Sequence, residues 1–430
     1  MSNKDTEFNL PKNIKSSVTS VVFNIFLAFI TYRLLIAFQG IELVGVWSIL
    51  VAASSLVNIG NLGMGVAVIR YVSKINLAKD KATAKFFIDT GIIVNFIWHG
   101  FLTLSAYFII AFYLSKLVPT EFYKEALIAL PFLMLANFLS SMTVTLISSL
   151  QSIHKGYTGF NISILGSFIE ILLALILIPK IGILGFAIAQ AIRYLISLLL
   201  CWYFIYAYLN YELFFPKNFS LSYLKKMISY SIKVQAGAIL NSLFEPFTKL
   251  TLSQFGDAKA QGIYELAYKT VSLSRNIIVA GLLASIPAIT NLYNSSIIEA
   301  KAFYKKAQNK LFFYLTGIML FLAIASPFIS IVWIGNLSYE YILLVFIFAV
   351  GYWVNTLGAN AYNLGFASGI MKHNLICSLM LLLGFFVLYI FLKKLDLSSL
   401  LIVAISANLS LAISGFYIKM LNEKTILSVK

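Results

Sequence analysis

Charge is scarce in this 430-residue sequence. Asp, Glu, Lys and Arg make up 11% of it, against roughly 25% in an ordinary soluble domain. A chain that is 60% hydrophobic has too little polar surface to cover a soluble fold of this size, which leaves an integral membrane protein. Cysteine occurs twice, as Cys201 and Cys377, both inside apolar runs. That excludes a disulfide framework and a cysteine metal site. The three histidines, His99, His154 and His373, are scattered. There is no Walker loop, metal-ligand cluster or nucleophile triad. GNLGMG at 60–65 lies in a helical run with no strand before it, so it suggests close helix packing and not a phosphate loop. Enzyme chemistry, ATP hydrolysis, a bound metal and a cofactor are therefore not expected. Acids are outnumbered 16 to 32 by Lys and Arg. In a membrane protein that balance reflects positive-inside topology and anionic headgroups, and nucleic acid is not an expected partner.

What is present is apolar sequence in long runs. A spanning helix needs about 20 apolar residues. Twelve runs meet that length: 17–38, 43–68, 88–115, 126–150, 160–179, 182–207, 230–254, 262–290, 311–334, 340–364, 373–392 and 398–418. The first sixteen residues are polar and lack the features of a cleaved signal, so the first run is expected to act as an uncleaved anchor. With the N-terminus inside, the inner segments carry 21 of the 32 Lys and Arg and the outer loops carry 6. That bias predicts both termini on the cytoplasmic side. Outer loops are a few residues long and leave no room for a catalytic domain there.

The chain also looks duplicated. Arg33 precedes Gly40 by seven residues, and Lys249 precedes Gly256 by seven. Asn161 precedes Lys180 by nineteen, and Asn374 precedes Lys393 by nineteen. The expected organisation is all-α: a cytoplasmic tail (1–16), a six-helix bundle (17–209), a cytoplasmic linker (210–229), a second six-helix bundle (230–418) and a cytoplasmic tail (419–430). Both halves start inside, so the repeat is parallel, with a central cavity between the bundles.

Charged groups within spans are costly and usually face a bundle interior or a watery cavity. Here they are Arg33, Glu170, Arg193, Glu245, Lys249, Glu265, Lys269 and Arg275. Arg33 and Lys249 hold equivalent places in the two halves, which suits two cations to one phosphate group on opposite cavity walls. Each residue also has a plainer reading. Arg33 is within reach of the outer interface and snorkels there. Glu245 with Lys249 and Glu265 with Lys269 are i,i+4 pairs with the acid first, able to neutralise themselves. Glu170 and Arg193 form a structural pair between neighbouring helices. Arg275 has no acid at three or four residues' distance. Pro246 kinks its helix, either as a gating hinge or as a static bend. Amides are frequent in the spans, Asn24, Asn95, Gln235, Asn355 and Asn363 among them, as interhelical glue or as sugar contacts. Tyr352 and Trp353 fit an interface belt or a sugar platform equally well.

Three stretches carry a resemblance. They are EPFTKLTLSQFGDAKAQGIYELAYKTVSLSRN in the seventh and eighth helices, VGVWSILVAASSLVNIGNLGMGVAVIRYVSK in the second, and GILGFAIAQAI in the sixth. Together they resemble the bacterial lipid-linked polysaccharide flippases, the O-antigen and capsule-type translocases of the multidrug/oligosaccharidyl-lipid/polysaccharide exporter superfamily. The resemblance implies a cytoplasmic-membrane protein that moves an undecaprenyl-pyrophosphate-linked oligosaccharide from the inner to the outer leaflet by alternating access. Beyond membrane lipids, it points to a polysaccharide polymerase and a chain-length regulator as partners. It makes Arg33, Lys249, Lys269 and Arg275 the anion-binding cations. Glu245 and Glu265, with Glu170 and Arg193, would tune charge or carry a coupling proton. The rivals are a multidrug cation exporter of the same superfamily, which needs an uncompensated carboxylate such as Glu170, and a membrane polymerase or glycosyltransferase, which needs carboxylates on an outer loop.

Overall fold

A computed structural model describes residues 10–60, 62–283, 289, 292–293, 295–368, 370 and 372–426. The 1–9 tail, Asn61, the side chain of Gln235, the end of the 262–290 run and the last four residues lie outside it. All regular structure among the described residues is helical. The helices are α1 (Leu10–Gln39), α2 (Ile41–Ser55), α3 (Met64–Val72), α4 (Lys81–Leu117), α5 (Tyr123–Ser152), α6 (Gly156–Leu209) and α7 (Leu221–Phe255). They continue as α8 (Ala258–Leu283), α9 (Ile297–Ile334), α10 (Tyr339–Leu357), α11 (Ala359–Ser368), α12 (Lys372–Leu392) and α13 (Ser399–Ile426).

Nine helical stretches among the described residues are long and apolar enough to cross a membrane. One of them, α6, turns back on itself and makes two passes. Pro179 and Gly182, at φ +55°, interrupt it. Its two arms then pack antiparallel, so that a Cβ at Gly185 would press on the Leu177 carbonyl and one at Gly166 on Ser197 Oγ. The charged helices α7 and α8, at 35 and 26 residues, also exceed the roughly 20 needed to span. The chain is a multi-pass all-α membrane protein.

Two expected helices are broken. The 43–68 run forms α2, a short 3-10 turn over Leu56–Gly60, and α3. Gly63 sits in the left-handed region at φ +65°, where glycine alone is free of steric cost. GNLGMG thus ends one helix before it packs the next, with Gly65 close against Ser148. The 340–364 run divides into α10 and α11 at Gly358, where a Cβ would strike the Gly415 carbonyl of α13.

The chain forms two compact units, Met1–Phe38 with Leu50–Ile239, and Gln39–Ile49 with Leu240–Lys430. In the first, α5 packs along α6, and α3 and α4 pack on α5. Its core includes Met64, Phe87, Ile88, Leu146, Trp202 and Ile205. In the second, α10 packs against α8, α9 and α13, and α13 also packs on α12. The first turns of α2 belong to this second unit and cross α8 at two glycines. A Cβ at Gly45 would collide with the Ala258 carbonyl, and one at Gly262 with the Ile41 carbonyl. Gly45 and Gly262 are 217 residues apart, the offset that separates Ser48 from Glu265, and a shift by that offset exchanges the two contacts, as in helices related by a local two-fold. Gly262→Ala is expected to cost about 1–3 kcal/mol by overpacking, read as a lowered melting temperature in detergent.

Candidate functional site

The antiparallel hairpin of α7 and α8 places four charged side chains on two adjoining helix faces. Lys249 is completely buried. Its Nζ lies 2.5 Å from Glu245 Oε1, one turn back on α7, and 2.6 Å from Glu265 Oε2 on α8. Glu265 is fully buried too, and it accepts a hydrogen bond from Ser48 Oγ of α2 at 2.8 Å. Lys269 Nζ stands 3.7 Å from both Glu245 Oε1 and Glu265 Oε1, with its side chain partly exposed. The Tyr268 hydroxyl donates to Glu245 Oε2 at 2.6 Å, and its ring lies under both lysine ammoniums at 4.9 and 5.6 Å. Two acids and two bases close into a neutral network. The i,i+4 geometry within each helix is retained, and the added contact from Lys249 to Glu265 crosses between helices.

Arg275 stands apart, two turns further along α8 than Tyr268. Its Nε donates to Thr356 Oγ1 at 2.8 Å and its Nη2 to Asn355 Oδ1 at 3.4 Å, both on α10. Its guanidinium lies 5.6 Å from the Tyr352 ring centroid. Among the described residues it forms no ion pair with a carboxylate. Arg275 lines a cavity of about 370 Å³ within the second unit, together with Glu245, Tyr268, Tyr352, Asn355 and Asn363. Cation, phenol and amide groups thus converge on one space, a lining suited to an anion with hydroxyl-bearing neighbours. Among the described residues no group of three or more His, Cys, Asp or Glu side chains could hold a metal ion.

In the first unit Glu170 and Arg193 pair at 2.7 Å, both buried. The second guanidinium nitrogen donates to Asn24 Oδ1 at 2.7 Å, and Ser167 Oγ donates to the same oxygen at 3.2 Å. This neutral bridge ties α1 to both arms of α6. Arg33 is half-buried on α1. Pro246 is buried within α7, which continues through it to Phe255.

Sequence reasoning missed Ser48, Tyr268 and Thr356. Ser48 had a signal, since it ends the Gly45-Val46-Trp47-Ser48 segment of the second helix. Tyr268 and Thr356 had none, because nothing local sets either apart from other helix residues.

The fold is like that of solved membrane transporters built from two helical bundles. The structure is similar to an inward-facing multidrug resistance MATE family transporter of the MOP superfamily, with TM-score 0.82, 15% identity, and 95% of this chain and 94% of that one covered. The outward-facing form of such a transporter gives TM-score 0.71 at 14% identity, covering 97% and 95%. A MATE in complex with MaL6 gives the same four values. Residues 10–293 match the family described as polysaccharide biosynthesis protein, and the chain belongs to that family. No curated protein matches the sequence.

Proposed function

We propose that this protein is a flippase that carries an undecaprenyl-pyrophosphate-linked oligosaccharide from the cytoplasmic to the outer leaflet. The observation that carries the reading is the charge balance of the second unit. Glu245, Lys249, Glu265 and Lys269 neutralise one another, and Arg275 adds a cation with no carboxylate ion pair among the described residues. An anionic group in the cavity meets Arg275, which lines it beside Glu245, whose charge Lys249 and Lys269 balance. Asn355, Asn363 and Tyr352 offer donors and a ring face to sugar hydroxyls. Membership of the polysaccharide biosynthesis family supports a glycan substrate. The pairing of Glu170 with Arg193 speaks against a cation exporter, which needs that carboxylate uncompensated.

In this reading Arg33 is an anion-binding cation of α1, and Lys249 acts by fixing Glu245 and Glu265. Pro246 is the point at which α7 bends. Glu245, which reaches the cavity, and Glu265 carry or tune a coupling proton. Glu245→Gln and Glu265→Gln are then expected to flatten the pH dependence of flipping in proteoliposomes with an imposed pH gradient. An unchanged profile removes the coupling role.

Deletion of the gene tests the assignment. Undecaprenyl-linked repeat units should accumulate on the cytoplasmic face of the membrane. Normal surface polysaccharide in a strain without a redundant flippase, combined with raised sensitivity to cationic drugs, overturns it in favour of drug export.

A further inference from the structure

Between α6 and α7 the chain runs from Asn210 to Ser220 without regular helix, yet it is tied down at many points. Asp89, fully buried near the start of α4, accepts four hydrogen bonds from this connector. They come from the Tyr211 hydroxyl at 2.6 Å, Asn218 Nδ2 at 2.8 Å, Asn218 N at 3.0 Å and Lys217 N at 3.2 Å. Burial and the Asp89 carboxylate raise the Tyr211 phenol well above its ordinary range, so it remains a donor. Thr90 Oγ1 accepts from Ser220 N at 3.2 Å, Trp202 Nε1 donates to the Phe214 carbonyl, and Lys85 Nζ donates to the Asn210 carbonyl at 2.9 Å.

A segment held this firmly would be expected to tuck its apolar side chains inward. Instead Phe215 is 74% exposed and Leu221 57%, with Leu213 and Phe219 also exposed. Ordering a chain costs conformational entropy, so a fixed apolar edge of this kind marks a surface that something covers. Two features identify the cover. The edge continues the exposed apolar face of the preceding helix, through Leu195, Leu199 and Tyr203, which faces lipid in a spanning segment. Lysines also surround it: Lys81 bonds the Tyr208 carbonyl at 3.3 Å, and Lys217, Lys225 and Lys226 are exposed. Among these, only Lys217 has an ion pair among the described residues, a 3.4 Å contact with exposed Glu212. The positive-inside bias puts this end in the cytoplasm, where the leaflet surface is anionic.

We propose that the 210–221 connector is an interfacial anchor, its apolar edge seated in the cytoplasmic leaflet and its surrounding lysines holding anionic phospholipid headgroups. Aromatic side chains at headgroup depth and cations at the surface are the two elements such an anchor needs. The buried Asp89 clamp keeps the edge at one depth.

The full-length protein tests this in nanodiscs. Cys201 and Cys377 are both buried, so Phe215→Cys offers one accessible thiol for an environment-sensitive fluorophore. The label is expected to be quenched at least two-fold by lipids carrying a shallow acyl nitroxide, and little by aqueous iodide. Strong iodide quenching with no nitroxide effect overturns the anchor. Iodide quenching that disappears only when a cytosolic extract is added also overturns it, and makes the edge a protein-docking surface. The combined K217Q, K225Q and K226Q variant changes only exposed side chains. It is expected to retain several-fold less phosphatidylglycerol, relative to phosphatidylcholine, by native mass spectrometry. Equal retention overturns the headgroup part.

Discussion

Arg275→Gln is expected to slow flipping of the lipid-linked oligosaccharide by roughly 10- to 150-fold while protein levels in the membrane stay normal. The size follows from the bond that is lost. A hydrogen bond to a charged group contributes about 1.5–3 kcal/mol, and each 1.36 kcal/mol is a factor of ten. Stability should change little, because Arg275 bonds neutral Thr356 and Asn355 and its removal strands no buried carboxylate. Arg275→Lys keeps the charge without the planar fork and should fall between wild type and Gln. Transfer measured in proteoliposomes with a pyrophosphate-linked substrate decides. Unimpaired transfer by Arg275→Gln removes this residue, and with it the anion site, from the cavity.

The second large effect is on stability. Glu265→Gln leaves Lys249 fully buried with Glu245 as its remaining 2.5 Å partner and strands the charge balance of the network. Breaking a buried pair from one side costs about 3–5 kcal/mol, whereas removing both partners together is often neutral. Lys249→Met should be as damaging, since it takes from the buried Glu265 its 2.6 Å cationic partner. The double variant Lys249→Met with Glu265→Gln should recover most of the loss, because Glu245 and Lys269 remain as a balanced pair. Thermal melting in detergent reads all three. A double variant that melts at the sum of the single losses shows that the two residues are independent. Lys249→Gln, assayed for flipping and insertion together, separates a direct part in transport from this internal role.

The pairing of Lys249 shows where sequence reasoning stops. Its i,i+4 relation to Glu245 is visible in FEPFTKL, because helix geometry alone brings residues four apart together. Its contact with Glu265 depends on how far α7 runs before Gly256 turns the chain and on the register in which α8 returns. No local pattern states that register. Ser48 joins because α2 and α8 cross at Gly45 and Gly262, where the missing Cβ atoms let the backbones touch. Asp89 went unnoticed because an acid near the start of a spanning run looks like an interfacial residue until its four donors, more than a hundred residues away, fold back on it.

By itself the sequence determined that this is a multi-pass, all-α membrane protein, and which charges sit within its apolar runs. Those properties follow from the bilayer, which tests about 20 residues at a time for apolarity and sorts the flanking cations. Only the tertiary structure decided which charges neutralise each other, which remain available in the second unit's cavity, and where α2 and α10 end. Those outcomes rest on helix register and close backbone approach, which distant parts of the chain set together.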